Sequence, residues 1–394
     1  MFDVVDPDSA TFREDVAAWI RANFPSSLAD KNPQRFLTDG AYADADADFG
    51  LWLRRVVEKG WGAPTWPVEY GGGGLSGAHA AIIAEELARA GAFNPNRSYG
   101  EMMLGPTLLE YGDEVQKRRF IPPIARGEVR WCQGFSEPGA GSDLASLQTK
   151  CVDRGDHWAV TGQKIWTSGA NHADWCFCLV RTHSTTRHGG ISFHLIDMRS
   201  PGVEARPIEL ISGSTHICEV FFTDVQVPKD NMVGGLNRGW PIAKRLLQFE
   251  RDSLANSRSD APSLASLARQ YFGVDERGRI ADPDLRRRII CNDMRARAYA
   301  QNMRRAAQSL KSNEGVSAAV SVLKNLGSEI SQERAELAVE IMGHAGLGWE
   351  GEAFRPNEIE ATREWLHSKA FSIYGGSHEI QDNITAKRVL GLPS

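Results

Sequence analysis

In the first third of the chain, hydrophobic positions recur every three to four residues, the spacing of one face of a helix. Phe12, Val16, Ile20 and Phe24 make one such stripe, and Ile82, Ile83 and Leu87 make a second that Gly91 can end. Between them lies GWGAPTWPVEYGGGG (residues 60–74), where prolines and glycines exclude a helix and predict a loop, ordered or mobile. From about Arg130 the spacing changes to two. HWAV, DWCFCLV, ISFHLIDM and EVFFTDVQV are rich in strand formers and are separated by segments such as RGD and RSPG, which predicts an inserted β domain. After Val233 the helical spacing returns, through Val316, Val320 and Leu323 and again through Ile380 and Ile384. The pattern predicts a mainly α chain with an inserted β domain, divided at 1–128, 129–233 and 234–394. Clefts at such domain borders commonly bind ligands, but the order of elements does not name one.

Composition narrows the class. A chain of 394 residues, 42% hydrophobic, fills two or three cores. A net charge of -5, with basic and acidic residues intermixed, gives no field to draw in nucleic acid or an anionic membrane. The acidic N-terminus does not resemble a secretory signal, and no apolar run approaches the roughly 18 residues of a membrane span. A soluble, cytoplasmic protein is therefore expected. The six cysteines include no CxxC pair; Cys176 and Cys178 are expected on opposite faces of a strand, and all six are read as reduced thiols. The ten histidines lack metal-ligand spacing. The quadruple glycine at 71–74 has no following lysine of a phosphate loop and is expected to shape the substrate-side surface. The arginine-rich DLRRRI and MRARAYAQNMRR read as solvated helix faces.

Two stretches suggest chemistry. FSEPGAGSD (135–143) is a proline-restrained turn with two glycines, whose N–H groups can face an anion or an electron-rich ring; taken alone, its default reading is a plain surface turn. WAVTGQKIWTSGANHAD (158–174) offers a large indole followed by two hydroxyls, suited to an extended heterocycle, or else a tryptophan plugging the β core. These two, with GWGAPTWPVEYGGGG and the terminal IYGGSHEIQDNITAKRVLGLP, occur in the order and spacing of the acyl-CoA dehydrogenase family, which the sequence resembles along nearly its whole length.

The resemblance implies an N-terminal helical domain, a central β-barrel or sandwich and a C-terminal four-helix bundle, with FAD held between the β domain and the bundle. It implies a homodimer or homotetramer in which each FAD is partly completed by a neighbour. Carried over, Phe135 and Ser136 line the pyrimidine side of the flavin, and Gly141 and Ser142 belong to the cofactor loop, with Ser142 also near the acyl-CoA pocket. Trp166 covers the ring, and Ser168 lies beside flavin N5 with Thr167 adjacent. Arg269 and Phe272 look like the contacts to the neighbour's diphosphate and adenine, although the match needs a gap before them. Glu340 and Gly343 fall in a segment that usually begins with Gln and contains paired glycines. Ser377 and Glu379 fall near the FAD phosphates and adenine, while Asp382 and Asn383 are expected to cap or solvate the last helix.

The implied reaction takes a proton from the carbon α to a thioester while a hydride leaves the β carbon. So weak an acid needs a positioned carboxylate and hydrogen bonds to the developing enolate oxygen. Many members place that carboxylate just after the tyrosine of the terminal loop; here Tyr374, a substrate-side residue, is followed by Gly375. In RGWPIAKRLLQFERDSLANSR (238–258), Ala243, Leu246, Leu247, Glu250 and Leu254 share one helix face, so a carboxylate interrupts an apolar stripe. That acid is either a general base or the partner of an arginine such as Arg251 or Arg258. The resemblance favours the base, because a minority of the family supplies it from this helix opposite a Tyr-Gly-Gly loop. Gly375 then contributes its N–H to the thioester oxygen, and Arg251 shapes the substrate site. The implied function is FAD-dependent dehydrogenation of an acyl-CoA to a trans-2-enoyl-CoA, with electrons passed to an electron-transfer flavoprotein. The alternatives are a non-catalytic FAD-binding subunit of a heterotetramer, or an oxidase or desulfinating relative.

Overall fold

The computed structural model describes residues 7–29, 31, 33–38, 40–183, 187–255, 263–311 and 319–393. Among the described residues seven α-helices precede the sheet: α1 (Pro7–Asn23), α2 (Pro33–Thr38), α3 (Gly40–Ala45), α4 (Ala47–Glu58), α5 (Gly77–Arg89), α6 (Gly105–Tyr111) and α7 (Glu114–Ala125). Eight strands follow: β1 (Trp131–Gly134), β2 (Lys150–Asp153), β3 (His157–Ser168), β4 (Trp175–Arg181), β5 (Ile191–Asp197), β6 (Val203–Ile208), β7 (Ile217–Pro228) and β8 (Met232–Val233). The remainder is helical: α8 (Gly239–Ala255), α9 (Leu264–Phe272), α10 (Pro283–Lys311), α11 (Ala319–Met342), α12 (Pro356–Ser368) and α13 (His378–Ile384). The chain forms two compact units, 1–208 with 215–250, and 209–214 with 251–394.

In the first unit the helical stripes do what their spacing requires. Val16 and Ile20 of α1 and Ile83 and Leu87 of α5 are buried with Trp52 and Trp61, and Phe12 and Phe24 pack against them. Asp46 and Ser76 start α4 and α5 by accepting hydrogen bonds from the Phe49 and His79 N–H groups, the usual remedy for unpaired donors at a helix start. The 60–74 loop is ordered rather than mobile: Trp66 and Tyr70 are buried, and a side chain at Gly72 would meet the Trp66 carbonyl oxygen at 2.3 Å. Glycine is required there because backbone lies against backbone.

The strands form one sheet in the order β6-β7-β3-β2-β4-β5-β8, with β1 paired to β4. One expectation about it needs correction. Cys176 and Cys178, two residues apart on β4, share a face and lie in the same core with Cys132 and Cys151, because side chains alternate with period two. Burial holds the Cys178 thiol well above its ordinary value, so this cluster is inert packing. His194 of β5 belongs to the same interior, and burial lowers its pKa to about 3, keeping the ring neutral.

On α8, Ile242, Ala243 and Leu246 are buried and Leu247 packs beside them, against Met103, Leu104 and Leu108. Each fully buried isoleucine, leucine or methionine side chain here contributes about 1.5–3 kcal/mol. Arg245 of α8 pairs with Glu110 of α6, its Nε 2.8 Å from Oε2.

The second unit is a helical layer around Leu264, Leu267, Leu285, Ile289, Leu337 and Ile341. Its arginine-rich helix is more than a solvated face. Arg288 grips both oxygens of Glu340 at 2.5 and 2.7 Å, and Arg295 reaches Glu329 and Glu333 at 2.8 and 3.0 Å, which ties α10 to α11. Val316 lies outside the described residues; Leu323, farther along that stripe, is buried.

Candidate active site

The 135–143 segment leaves the sheet at the end of β1, and a buried ion pair sets its course. Phe135 points into the core, edge-on to Phe177 and Phe193 with ring centres 6.0 and 6.3 Å away. Lys164, fully buried on β3, donates from Nζ to the Phe135 carbonyl at 3.0 Å and to Glu137 Oε1 at 2.8 Å. Glu137 also accepts the Gln148 and Thr149 N–H groups at 2.6 and 2.9 Å. Burial alone would raise the Glu137 carboxyl, but the Lys164 charge and these hydrogen bonds outweigh it and hold the group below the ordinary glutamate value.

This pair has a geometric consequence for the loop. In a trans peptide the N–H points opposite to the C=O, so fixing the Phe135 carbonyl on Lys164 directs the Ser136 N–H away from the core. Ser136 in turn accepts from the Ile165 N–H at 2.9 Å, and Glu137 and Ala140 exchange both backbone hydrogen bonds at 3.0 Å across Pro138 and Gly139. Gly141 and Ser142 follow on the exposed rim.

Trp166 is the strained residue here. The β3–β7 register slips between Lys164 and Thr167, and inside that bulge Trp166 takes φ 61° with its indole 59% exposed. This rules out a core plug. A left-handed conformation costs a non-glycine residue about 1–3 kcal/mol, and a bulge re-aims a side chain, which is how the indole comes to be held outward. Thr167 is buried, its Oγ1 without a hydrogen-bond partner among the described residues, so its side chain turns away from that face; Ser168 is partly accessible.

Glu250 and Arg251 lie in α8, and their side chains fall outside the described residues, as does Arg258. The buried Ala243 and Leu246 confirm the apolar stripe on the same helix. In the second unit, Tyr374 is half exposed, and Gly375 and Gly376 have φ 66° and 89°. The Gly375 carbonyl accepts from Gln381 Nε2 at 3.0 Å. An acid at 375 would force a left-handed backbone, which costs a residue with a Cβ about 1–2 kcal/mol. A Cβ there would also lie 4.0 Å from Lys324 Cε. The Lys324 Nζ is buried with no hydrogen-bond partner among the described residues, and burial lowers its pKa, with Glu379 opposing.

Ser377 caps α13 by accepting the Ile380 N–H, and Glu379 is exposed on its first turn. Asp382 does not cap that helix; it accepts from Asn325 of α11 at 2.8 Å. Arg269 and Phe272 are exposed at the end of α9. Glu340 is held by Arg288, and Gly343, at φ 56°, follows the end of α11. Sequence reasoning missed Lys164 and Glu137. The available signal was register: Lys164 has the parity of the inward-facing Trp158 and Val160, where a charge needs a buried partner.

Helices, an inserted sheet with an outward indole, and a second helical unit with a glycine loop before its last helix define an oxidoreductase scaffold, and the chain belongs to the acyl-CoA dehydrogenase family. Residues 10–128, 132–225 and 237–390 match the models of its N-terminal, middle and C-terminal domains. The chain is 37% identical over 399 residues to the acyl-CoA dehydrogenase IpdE1 of Mycobacterium tuberculosis, covering 98% of both. It is 38% identical over 339 residues to FadE34 of the same organism, covering 86% of this chain and 45% of that one. Among solved structures it is similar to the Tcur3481-Tcur3483 steroid ACAD, with TM-score 0.79, 27% identity and 100% of both chains covered. The ChsE4-ChsE5 complex from M. tuberculosis gives TM-score 0.77 and 26% identity, again over 100% of both. No helix among the described residues is long and apolar enough to cross a membrane.

Proposed function

We propose that this chain is an FAD-dependent acyl-CoA dehydrogenase that converts an acyl-CoA to a trans-2-enoyl-CoA and passes electrons to an electron-transfer flavoprotein. The observation that carries the cofactor reading is Trp166, exposed at a positive φ next to the outward Ser136 N–H. A flat heterocycle fits these residues: an indole for its face, a fixed N–H and the Ser142 and Ser168 hydroxyls for its edge, with Phe135 contributing through its backbone and Thr167 through its neighbours. FAD, when bound, supplies the hydride acceptor.

The remaining work falls to the chain. Glu250 takes the α proton; the buried turns before it on α8 keep that end of the helix anchored in an apolar setting. The Gly375 N–H bonds the thioester oxygen, and its lack of a side chain leaves the base role to Glu250. Arg251 and Tyr374 shape the substrate site. Exposed Arg269 and Phe272, with Gly343, Ser377 and Glu379, face the FAD diphosphate and adenine across a homodimer or homotetramer, whereas Glu340 is neutralised by Arg288 at the edge of that surface. The working division is 1–128, 129–233 and 234–394. A non-catalytic FAD-binding subunit of a heterotetramer is the second reading, favoured by the two-component make-up of the similar Tcur3481-Tcur3483 and ChsE4-ChsE5 structures.

Glu250→Gln tests the assignment. Removing a general base costs about 10²–10⁴ in rate, so kcat should fall by that factor with FAD content unchanged. A variant that keeps more than a third of the activity, or wild-type protein whose flavin no acyl-CoA bleaches anaerobically, would overturn it.

A further inference from the structure

The Gly375 turn is laid along one helix of the second unit, and that helix carries a charge beside it. Asn325, Ser328 and Gln332 of α11 donate to the backbone carbonyls of His378, Phe371 and Ser368 at 3.3, 2.8 and 2.9 Å. Their spacing of three and four residues puts them on one helix face, so the chain from 368 to 378 is pinned along it. Gln381 Nε2 closes the turn on the Gly375 carbonyl at 3.0 Å. The Gly375 N–H donates to no group among the described residues, so the turn presents a fixed and unused donor.

Lys324 precedes Asn325 on the same helix. A Cβ added at Gly375 would meet the Lys324 Cε at 4.0 Å, and nothing outside the turn itself comes closer. The ammonium is buried and has no hydrogen-bond partner among the described residues. Of the titratable groups on α13, Glu379 reaches it through charge alone and is exposed, Asp382 is bonded by Asn325, and the His378 Nε2 is itself buried without a partner. A carboxylate at 375 would stand where it could neutralise Lys324; glycine leaves the charge open. A desolvated charge is poorly screened, so it acts strongly on any negative charge that develops nearby.

We propose that Lys324 stabilises, through its field, the enolate oxygen that the Gly375 N–H binds, and so makes the α proton of the bound thioester more acidic. This rests on the acyl-CoA reading above. The neutral thioester gains little from the ammonium and the enolate gains much, which is the differential that lowers a barrier. No bond forms or breaks at Lys324: the α proton passes to the base, and the electron pair it leaves is drawn onto the thioester oxygen. Lys324 is thus a positioning residue, acting from behind the turn.

The test uses FAD-loaded enzyme and a 3-thia-acyl-CoA. Sulfur replaces its β carbon, so no hydride can leave while the α proton still can, and the resulting enolate beside oxidised flavin absorbs at long wavelength. The pH at which half of this band has formed reports the acidity of the bound α proton. Lys324→Met should raise that midpoint by about one unit or more, an approximately tenfold loss of acidity. Lys324→Arg keeps the charge and should stay within about threefold of wild type. An alkyl-CoA thioether, which has no carbonyl to become an enolate, should bind both variants within about threefold of wild type. An unmoved midpoint in Lys324→Met, an equal shift in Lys324→Arg, or a parallel loss of thioether affinity would overturn the proposal, the last by showing that Lys324 only holds the turn in place. Each of these leaves the dehydrogenase reading standing. Wild type that forms no band and whose flavin no acyl-CoA bleaches would overturn both.

Discussion

Two acid–base pairs in the first unit invite comparison. Lys164 and Glu137 are both buried, in contact at 2.8 Å, and Glu137 also takes two backbone donors. Arg97 and Glu101 are each partly open, and the carboxylate takes no hydrogen bond among the described residues. The closed pair has no capacity left for a ligand, so its product is geometry: a fixed Phe135 carbonyl and an outward Ser136 N–H. The Glu101 carboxylate keeps its capacity for a donor. A buried charge whose partners are all within the fold is scaffold; one that is desolvated and unmet is a cost to the fold until something meets it.

The sharpest way to break this contrast is Lys164→Met. It strands Glu137 in the interior, and breaking a buried pair by removing one partner costs about 3–5 kcal/mol. Urea denaturation should show that loss, and the protein should be purified with less flavin because the Ser136 peptide is no longer held. A loss under 1 kcal/mol would show that the pair does not set the loop.

The open pair is distinguished by its pH dependence. Glu101 titrates near 7 in the fold and near 4.5 unfolded, so between these values the native state holds the extra proton and stability falls as pH rises. Glu101→Gln removes that slope. Its stability relative to wild type should improve steadily from pH 5 to pH 7.5, by no more than about 3 kcal/mol. A flat difference across the window would mean that Glu101 is as well solvated as a surface carboxylate.

Much of this architecture was legible beforehand, and the exceptions are physical. The stripe through Val16 and Ile20 reports burial directly, and ISFHLIDM, buried at every position from Ile191 to Ile196, is a strand by its composition and length rather than by alternation. The family resemblance located the 135–143 loop and Trp166, but only the bulge and φ 61° decide between a plug and an outward ring, and a bulge has no sequence signature of its own. Cys176 and Cys178 were misassigned by parity rather than by missing information. Lys164–Glu137 joins residues 27 apart and Arg288–Glu340 joins residues 52 apart; such pairs depend on which strands and helices become neighbours. The setting of Glu101 depends on a π-helical turn, which adds one residue to a helix without changing its composition.

Lys324 extends the comparison to the second unit and carries the smallest expected effect. It is a third charge held in a dry setting, with Nζ buried, no hydrogen-bond partner among the described residues, and only Glu379 opposing its desolvation. By the rule drawn from the first two pairs it is a cost to the fold, unlike Lys164. Lys324→Met keeps the length of the stem and removes the unmet charge, so stability should rise by about 1 kcal/mol, the lower end of the penalty for an unsatisfied buried polar group. Thermal melting of ligand-free protein checks it. A fall in Tm would mean that the ammonium is satisfied in solution, which would place Lys324 with Lys164 as scaffold beneath the Gly375 loop.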